Sequence, residues 1–337
     1  MKSLKVLCLT HEDFVPPARA SERKDFHSEQ WRTEQYVAST LSKLGHEARM
    51  LGVRYDLGVL RAALEDFKPD IVFNLLEEFH DQPIYDQNVV SYLELMQVPY
   101  TGCNPRGMVL ARDKALTRKL LSYHRIPGPE FVVFAKGKRI KRPSKLSLPL
   151  FVKSQIEEAS LGISQASVVQ SDGELEERVR FMHEKVNTDV IVEEYIDGRE
   201  LYVGVLGSDR LIVLPIWELV FENMPDNVPH IATRRVKWDP KYQKKRGIVS
   251  REAQGLSAEL QQRIYSVCKR TYRALGLSGY ARIDLRLRAD GQIYVIEANP
   301  NPEIAFQEDF ADSAEKQGYS YDDLIQKVIL LGLRGKC

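Results

Sequence analysis

The chain has 337 residues, 43% hydrophobic and 28% charged, with a formal net charge of +1. That is globular composition, long enough for two or three domains, and it excludes low-complexity and strongly disordered classes. A near-neutral chain offers no global field for nucleic acid or an acidic membrane, and the longest apolar run, 211–221, is broken by Pro215 and Glu218 and too short to span a bilayer.

Residues 5–10 read as a buried parallel strand, and as a first strand rather than a signal peptide. Residues 11–29 form a long polar loop containing Pro16 and Pro17. It is either functional or a disordered excursion. Helical spacing (Tyr36, Val37, Leu41, Leu44) predicts a helix over 31–44, stopped by Gly45. A second strand (48–53), a second helix (57–67), a third strand (69–74) and a helix near 88–96 follow. Alternating strands and helices imply a parallel α/β layer over the first hundred residues. Ligands in such layers sit beyond the carboxyl ends of the strands, so the loops after strands one and three are candidates for substrate contact. No glycine-rich dinucleotide fingerprint follows these strands.

Residues 98–105 form a turn-rich connector to a helix over 108–123 that carries Arg112, Asp113 and Lys114. The basic run 135–147 lacks interleaved aromatics and reads as a solvated face. A strand over 148–153 ends in Lys153, which alternates with Val152 and so lies opposite the core face. The loop 154–162 and a strand over 163–169 make a hairpin, either an ordinary one or one that folds over phosphates. A helix (172–183), a strand (189–196), an Asp197-Gly198 turn and a return strand (200–206) crowd Glu193, Glu194 and Glu200 together, as a solvated edge or a site. After a strand over 211–221, the basic stretch 234–246 is expected to be irregular. It is either solvated or a cationic loop closing on a polyphosphate. A helix over 257–275, a turn at 300–302 and a closing helix over 321–333 complete the chain. Four scattered cysteines (Cys8, Cys103, Cys268, Cys337) suggest free thiols in a reducing cytosol.

The most informative stretch is 279–299. Ile283, Leu285 and Leu287 alternate with Arg282, Asp284, Arg286 and Arg288, the period of a half-buried strand. Asp290-Gly291 signals a two-residue hairpin turn. In that register Asp284 faces Glu297 and Arg282 faces Asn299, all four on one face. Two opposed carboxylates repel, so a cation is expected between them. A hard divalent ion suits Asp, Glu and Asn together. Neutralisation by Arg282 or Arg286 is the alternative.

The order of parts resembles the D-alanine–D-alanine ligase family of ATP-grasp enzymes over nearly the whole chain. The matching pieces are Phe73-Asn-Leu-Leu76, Pro99-Tyr-Thr-Gly102, Asp113-Lys114, Phe151-Val-Lys153, Val192-Glu-Glu-Tyr-Ile196, Gly198-Arg-Glu200, Gly279-Tyr-Ala-Arg-Ile-Asp284 and Glu297-Ala-Asn-Pro300. The resemblance implies an α/β ATP-grasp fold: an N-terminal α/β domain (1–105), a small subdomain (106–197) and a C-terminal subdomain with the metal site (198–337). It implies ATP contacts from Lys114, Lys153, Ser160, Glu193, Glu194, Tyr195, Ile196, Glu200, Lys241 and Ile296. Lys114 and Lys153 would meet phosphates, Glu193, Tyr195 and Ile196 the adenine, and Glu200 the ribose. Asp284, Glu297 and Asn299 would hold two Mg²⁺, and Arg282 would stabilise charge as an amine attacks an acyl phosphate. It also implies a cytoplasmic protein, with a homodimer as a further family expectation.

Several positions depart from the family pattern. Its Gly-Ser-Ser becomes Glu158-Ala159-Ser160, its Pro-Gly becomes Pro302-Glu303, and its acceptor-gripping serine becomes Glu308, followed by Asp309. Such acids would repel a free carboxylate. The expected function is therefore an ADP-forming carboxylate–amine ligase acting on small molecules other than D-alanine, with no nucleic acid or membrane partner. D-alanine–D-alanine ligase itself and a non-catalytic ATP-binding regulator are the alternatives.

Overall fold

Three sheets organise the chain in a computed structural model that describes residues 2–18, 20, 26, 28–157, 161–225 and 228–335. The first is parallel: β1 (Lys5–His11), β2 (Glu47–Val53) and β3 (Ile71–Asn74), in the order β2-β1-β3. Helices α1 (Arg32–Lys43), α2 (Leu57–Phe67) and α3 (Asp86–Leu95) alternate with these strands as expected. β1 is central, and β1 and β3 are almost wholly buried, which explains their continuous apolar runs.

The helix expected over 108–123 is two, α4 (Pro105–Arg112) and α5 (Lys114–Tyr123). Asp113 breaks it: its backbone is extended and its carboxylate accepts the Leu116 N–H at 2.9 Å, capping α5. The cap places Lys114 in the first turn of α5.

The second sheet is antiparallel: β4 (Phe131–Phe134), β5 (Leu150–Ser154), β6 (Val168–Val169) and β7 (Val190–Glu194), in the order β4-β7-β5-β6. It packs against α6 (Asp172–Phe181) with its own core of Leu150, Val152, Val190, Val192, Leu175 and Val179. The expected strand over 163–169 is mostly a 3-10 turn, because the side chains of Ser164 and Ser167 cap each other's backbone and compete with the ladder.

The third sheet contains β8 (Arg199–Leu206), β9 (Ile212–Phe221), β10 (Ile248–Glu252), β11 (Tyr280–Leu287) and β12 (Ile293–Pro300), in the order β10-β9-β8-β11-β12. Between β9 and β10, the stretch expected to be irregular forms two short helices, α7 (Arg234–Trp238) and α8 (Pro240–Arg246). Thr233 and Asp239 cap them, and Pro240 occupies the first position of the second. Helix α9 (Ala258–Ala274), with α4 and α5, backs this sheet through Ile264, Tyr272, Met108 and Leu121. Helices α10 (Asp309–Lys316) and α11 (Tyr321–Arg334) follow. α10 escaped the sequence reading because it is short and Glu308 caps it without a side-chain bond.

The parallel sheet and the five-stranded sheet share one core: Cys8, Phe73, Leu206, Tyr280, Phe310 and Ile325 belong to a single cluster. Cys8, Cys103 and Cys268 are buried free thiols. Among the described residues no helix is long and apolar enough to cross a membrane.

Candidate functional site

The β11–β12 hairpin has the expected pairs, Arg282 opposite Asn299 and Asp284 opposite Glu297. The route to them differs from a two-residue turn. Leu287 pairs with Ile293, and Arg288 and Gln292 close a three-residue loop, Ala289-Asp290-Gly291, with Gly291 at φ +78°. A three-residue loop ending in a left-handed glycine is a standard hairpin closure. It moves the register by one residue, and a bulge moves it back: Asp284 pairs with Glu297 but Leu285 with Val295, so Ile296 is the extra residue. The bulged carbonyl of Ile296 accepts from Arg118.

Asp284, Glu297 and Asn299 consequently face one cleft of about 880 Å³, open to solvent. Their counter-charges are organic. Arg282 binds Asp284 through two hydrogen bonds of 2.7 and 2.9 Å and stacks over Tyr202, and Lys114 lies 3.0 Å from Glu297. Arg286 turns away to Glu200 at 2.6 Å. Burial pushes the Glu297 carboxyl up, but Lys114, Lys153 and Lys237 outweigh it and pull it to about 2. The donor set fits a hard divalent ion. Arg282 leaves a lone pair on each Asp284 oxygen. The buried Asn299 Nδ2 has no hydrogen-bond partner, and turning that amide over presents an oxygen instead.

The opposite wall comes from the four-stranded sheet. Lys153, expected on the outer face of β5, is only 3% exposed. Its Nζ reaches Glu193 at 2.8 Å, and Arg118 donates to the same carboxylate at 2.6 Å. The Glu193 side chain is thus committed to two cations within the cleft wall. Glu194, Tyr195, Ile196 and Glu200 line the cleft, as do Lys114, Lys153, Glu193 and Ile296. Lys241 does not: it lies on α8, and Lys237 from α7 lines the cleft instead. The Asp239 cap sets those two lysines on separate helices. Arg282 sits beside the cleft rather than in its lining. Glu158, Ala159 and Ser160 lie outside the described residues.

Beyond Arg282 the acids Glu303 and Glu308 meet the start of α1, with Asp309 next to Glu308. Arg32 binds Glu308, and the Thr33 hydroxyl donates to Glu303 at 2.6 Å. Glu34, 4% exposed, accepts from the Thr10 hydroxyl at 2.7 Å, and its Oε2 has no hydrogen-bond partner. Burial, with Glu303 adding to it, raises its carboxyl to about 7. The sequence reading missed Arg32. A cation in the first turn of a helix opposes the helix dipole, and that misfit was the available sign of an acidic partner.

Lys153 from one sheet, with Lys114 and Lys237 from helices, shares a cleft with acids and an amide from another sheet, and this division is the plan of an ATP-grasp enzyme. Residues 120–330 match the family model described as D-ala D-ala ligase C-terminus. An uncharacterized protein, y4sG, of Sinorhizobium fredii is 30% identical over 89% of this chain and 87% of its own length. The D-alanine–D-alanine ligase of Carboxydothermus hydrogenoformans is 29% identical over 90% of this chain and 94% of its own. The crystal structure of the Bacillus anthracis D-alanine–D-alanine ligase complexed with ATP superposes with a TM-score of 0.75 at 22% identity, covering 98% of each chain. The chain belongs to the D-alanine–D-alanine ligase family of ATP-grasp enzymes, and it is a ligase that forms C–N bonds.

Proposed function

We propose that the protein is an ADP-forming ligase that joins a small-molecule carboxylate to an amine other than D-alanine. One observation carries this: four carboxylates, Glu34, Glu303, Glu308 and Asp309, gather on the acceptor side, and Arg32 is already engaged by one of them. Such a surface favours a cationic amine without a neighbouring carboxylate.

In this reading the carboxylate attacks the γ-phosphorus of ATP, ADP leaves, and the amine displaces phosphate from the acyl phosphate. Lys114, Lys153 and Lys237 hold the phosphates, with Glu193 orienting Lys153 rather than touching the base. Glu194, Tyr195, Ile196 and the Ile296 bulge take the adenine, and Glu200 the ribose. Asp284, Glu297 and Asn299 are the ligands for two magnesium ions, which when bound would neutralise charge on the phosphates being transferred. Arg282, released from Asp284 on one side, stabilises the negative charge that develops on the acyl oxygen as the amine adds.

The curated relatives named D-alanine–D-alanine ligase favour a second reading, with D-alanine as both substrates. An ADP-release assay over D-alanine, other amino acids, amino-acid amides, diamines and polyamines separates the two. ADP release with amines lacking an α-carboxylate, and little with D-alanine alone, is expected. Efficient D-alanyl-D-alanine formation by the purified protein refutes the first reading. Glu308→Ser frees Arg32 and should shift acceptor preference toward carboxylate-bearing amines by about tenfold, with the KM for ATP unchanged. A selective loss of ATP binding would move Glu308 out of the acceptor site.

A further inference from the structure

We propose that His11, Glu78 and Asp81 form a site for a divalent transition metal, zinc or manganese, at the carboxyl edge of the parallel sheet. The sheet order β2-β1-β3 reverses direction at β1, so its switch point lies between the ends of β1 and β3. Open α/β sheets bind ligands at that crevice. His11 closes β1 on one side of it, and Glu78 and Asp81 come from the loop after β3 on the other.

The imidazole is 2% exposed, and its Nε2 has no hydrogen-bond partner. A buried polar nitrogen left without a partner is unfavourable, and this one is aimed at carboxylates. Glu78 Oε1 lies 3.7 Å from Nε2, and one ligand atom from each of the three residues lies within 4.8 Å of the others. The first distance is too long for a hydrogen bond. It suits two ligands of one ion, which sit about 3.4 Å apart when each bond is roughly 2.1 Å and the geometry tetrahedral.

The surroundings orient the ligands. Arg54 donates to Asp81 Oδ1 at 2.8 Å and Tyr55 to Oδ2 at 2.6 Å, leaving a lone pair on each oxygen. Ligating carboxylates are commonly held this way. Asp13 serves both states of the imidazole. Its N–H donates to Nδ1 at 3.3 Å here, and its carboxylate, 3.6 Å away, is the acceptor that Nδ1–H would reach with a small shift in the tautomer that frees Nε2 for metal. Glu12, Asp13, Glu78 and Asp81 oppose one guanidinium, Arg54, which leaves a surplus of three negative charges. An imidazole with two carboxylates selects zinc or manganese over magnesium or calcium, which prefer all-oxygen sets. Glu78 and Asp81 are 34% and 48% exposed, so an ion can enter from solvent.

Zinc titrated into the full chain in excess magnesium, read by calorimetry, tests the site. One equivalent should bind. It should be lost in His11→Gln, weakened about tenfold or more in Glu78→Gln and Asp13→Ala, and kept in Asp284→Asn. Cobalt in place of zinc should give a visible absorption band that His11→Gln removes. No bound zinc, or an equivalent indifferent to both His11→Gln and Glu78→Gln, overturns the proposal and leaves an ordinary ion-pair cluster. If His11→Gln does not fold, the half-buried Glu78 decides alone.

Discussion

Two glutamates, each bound by an arginine, behave in opposite ways, Glu193 in the cleft wall and Glu308 outside it. Glu193 is 2% exposed, and burial pushes its carboxyl up, but Arg118 and Lys153 together overcome this and hold it below the usual carboxylate range. Glu308 has Arg32 alone, with Glu303 and Asp309 nearby, and burial raises its carboxyl above that range. The side proposed for the nucleotide is therefore provided with enough cations to receive more negative charge. The side proposed for the acceptor resists it. The difference follows from the number of cations each carboxylate meets rather than from depth of burial.

Three experiments break or sharpen that contrast. The largest effect is expected from Asp284→Asn, which should lower ADP formation by about 10²–10³-fold with the circular dichroism spectrum unchanged. An unchanged rate removes Asp284 from the metal set. Next come the two arginines. Arg118→Leu leaves a buried carboxylate short of a partner and should cost about 3–5 kcal/mol in urea unfolding. Arg32, 29% exposed, should cost about 1 kcal/mol or less when changed to leucine. Equal costs would end the distinction. The third experiment concerns Glu34, whose carboxyl rises from 4.5 in the unfolded chain to about 7 in the fold. The folded state then binds the extra proton, so stability is full below pH 4.5 and falls until pH reaches about 7. The loss should be about 3 kcal/mol, and Glu34→Gln should flatten the profile. A wild-type melting temperature constant across that window refutes the assignment.

The nucleotide side was largely legible because its residues sit on strands whose alternation fixes their faces. Even there the agreement had a hidden element. The Asp284–Glu297 pairing follows from a longer turn and a bulge that cancel, and the bulge at Ile296 lies on β12, whereas the alternation that predicts the hairpin is that of β11. Lys153 was assigned to the outer face correctly, but Arg118 and Glu193 make that face buried. Lys237 and Lys241 could not be told apart, since the Asp239 cap that separates them lies inside a stretch with no clear period. The acceptor side was legible only as a surplus of acids. Its structure depends on Arg32 meeting Glu308 and Thr33 meeting Glu303, contacts across 276 and 270 residues that no local pattern encodes.

The common core beneath the parallel and five-stranded sheets has a mechanical consequence. Cys8 and Phe73 are packed with Tyr280 and Phe310, so these two sheets are welded into one rigid frame. The four-stranded sheet has a core that takes no residue from either. Parting a welded core exposes far more apolar surface than tilting a separate one. Opening of the cleft should therefore swing the β4–β7 sheet as a jaw against a fixed base, carrying Lys153 with it while Asp284 and Glu297 stay in place.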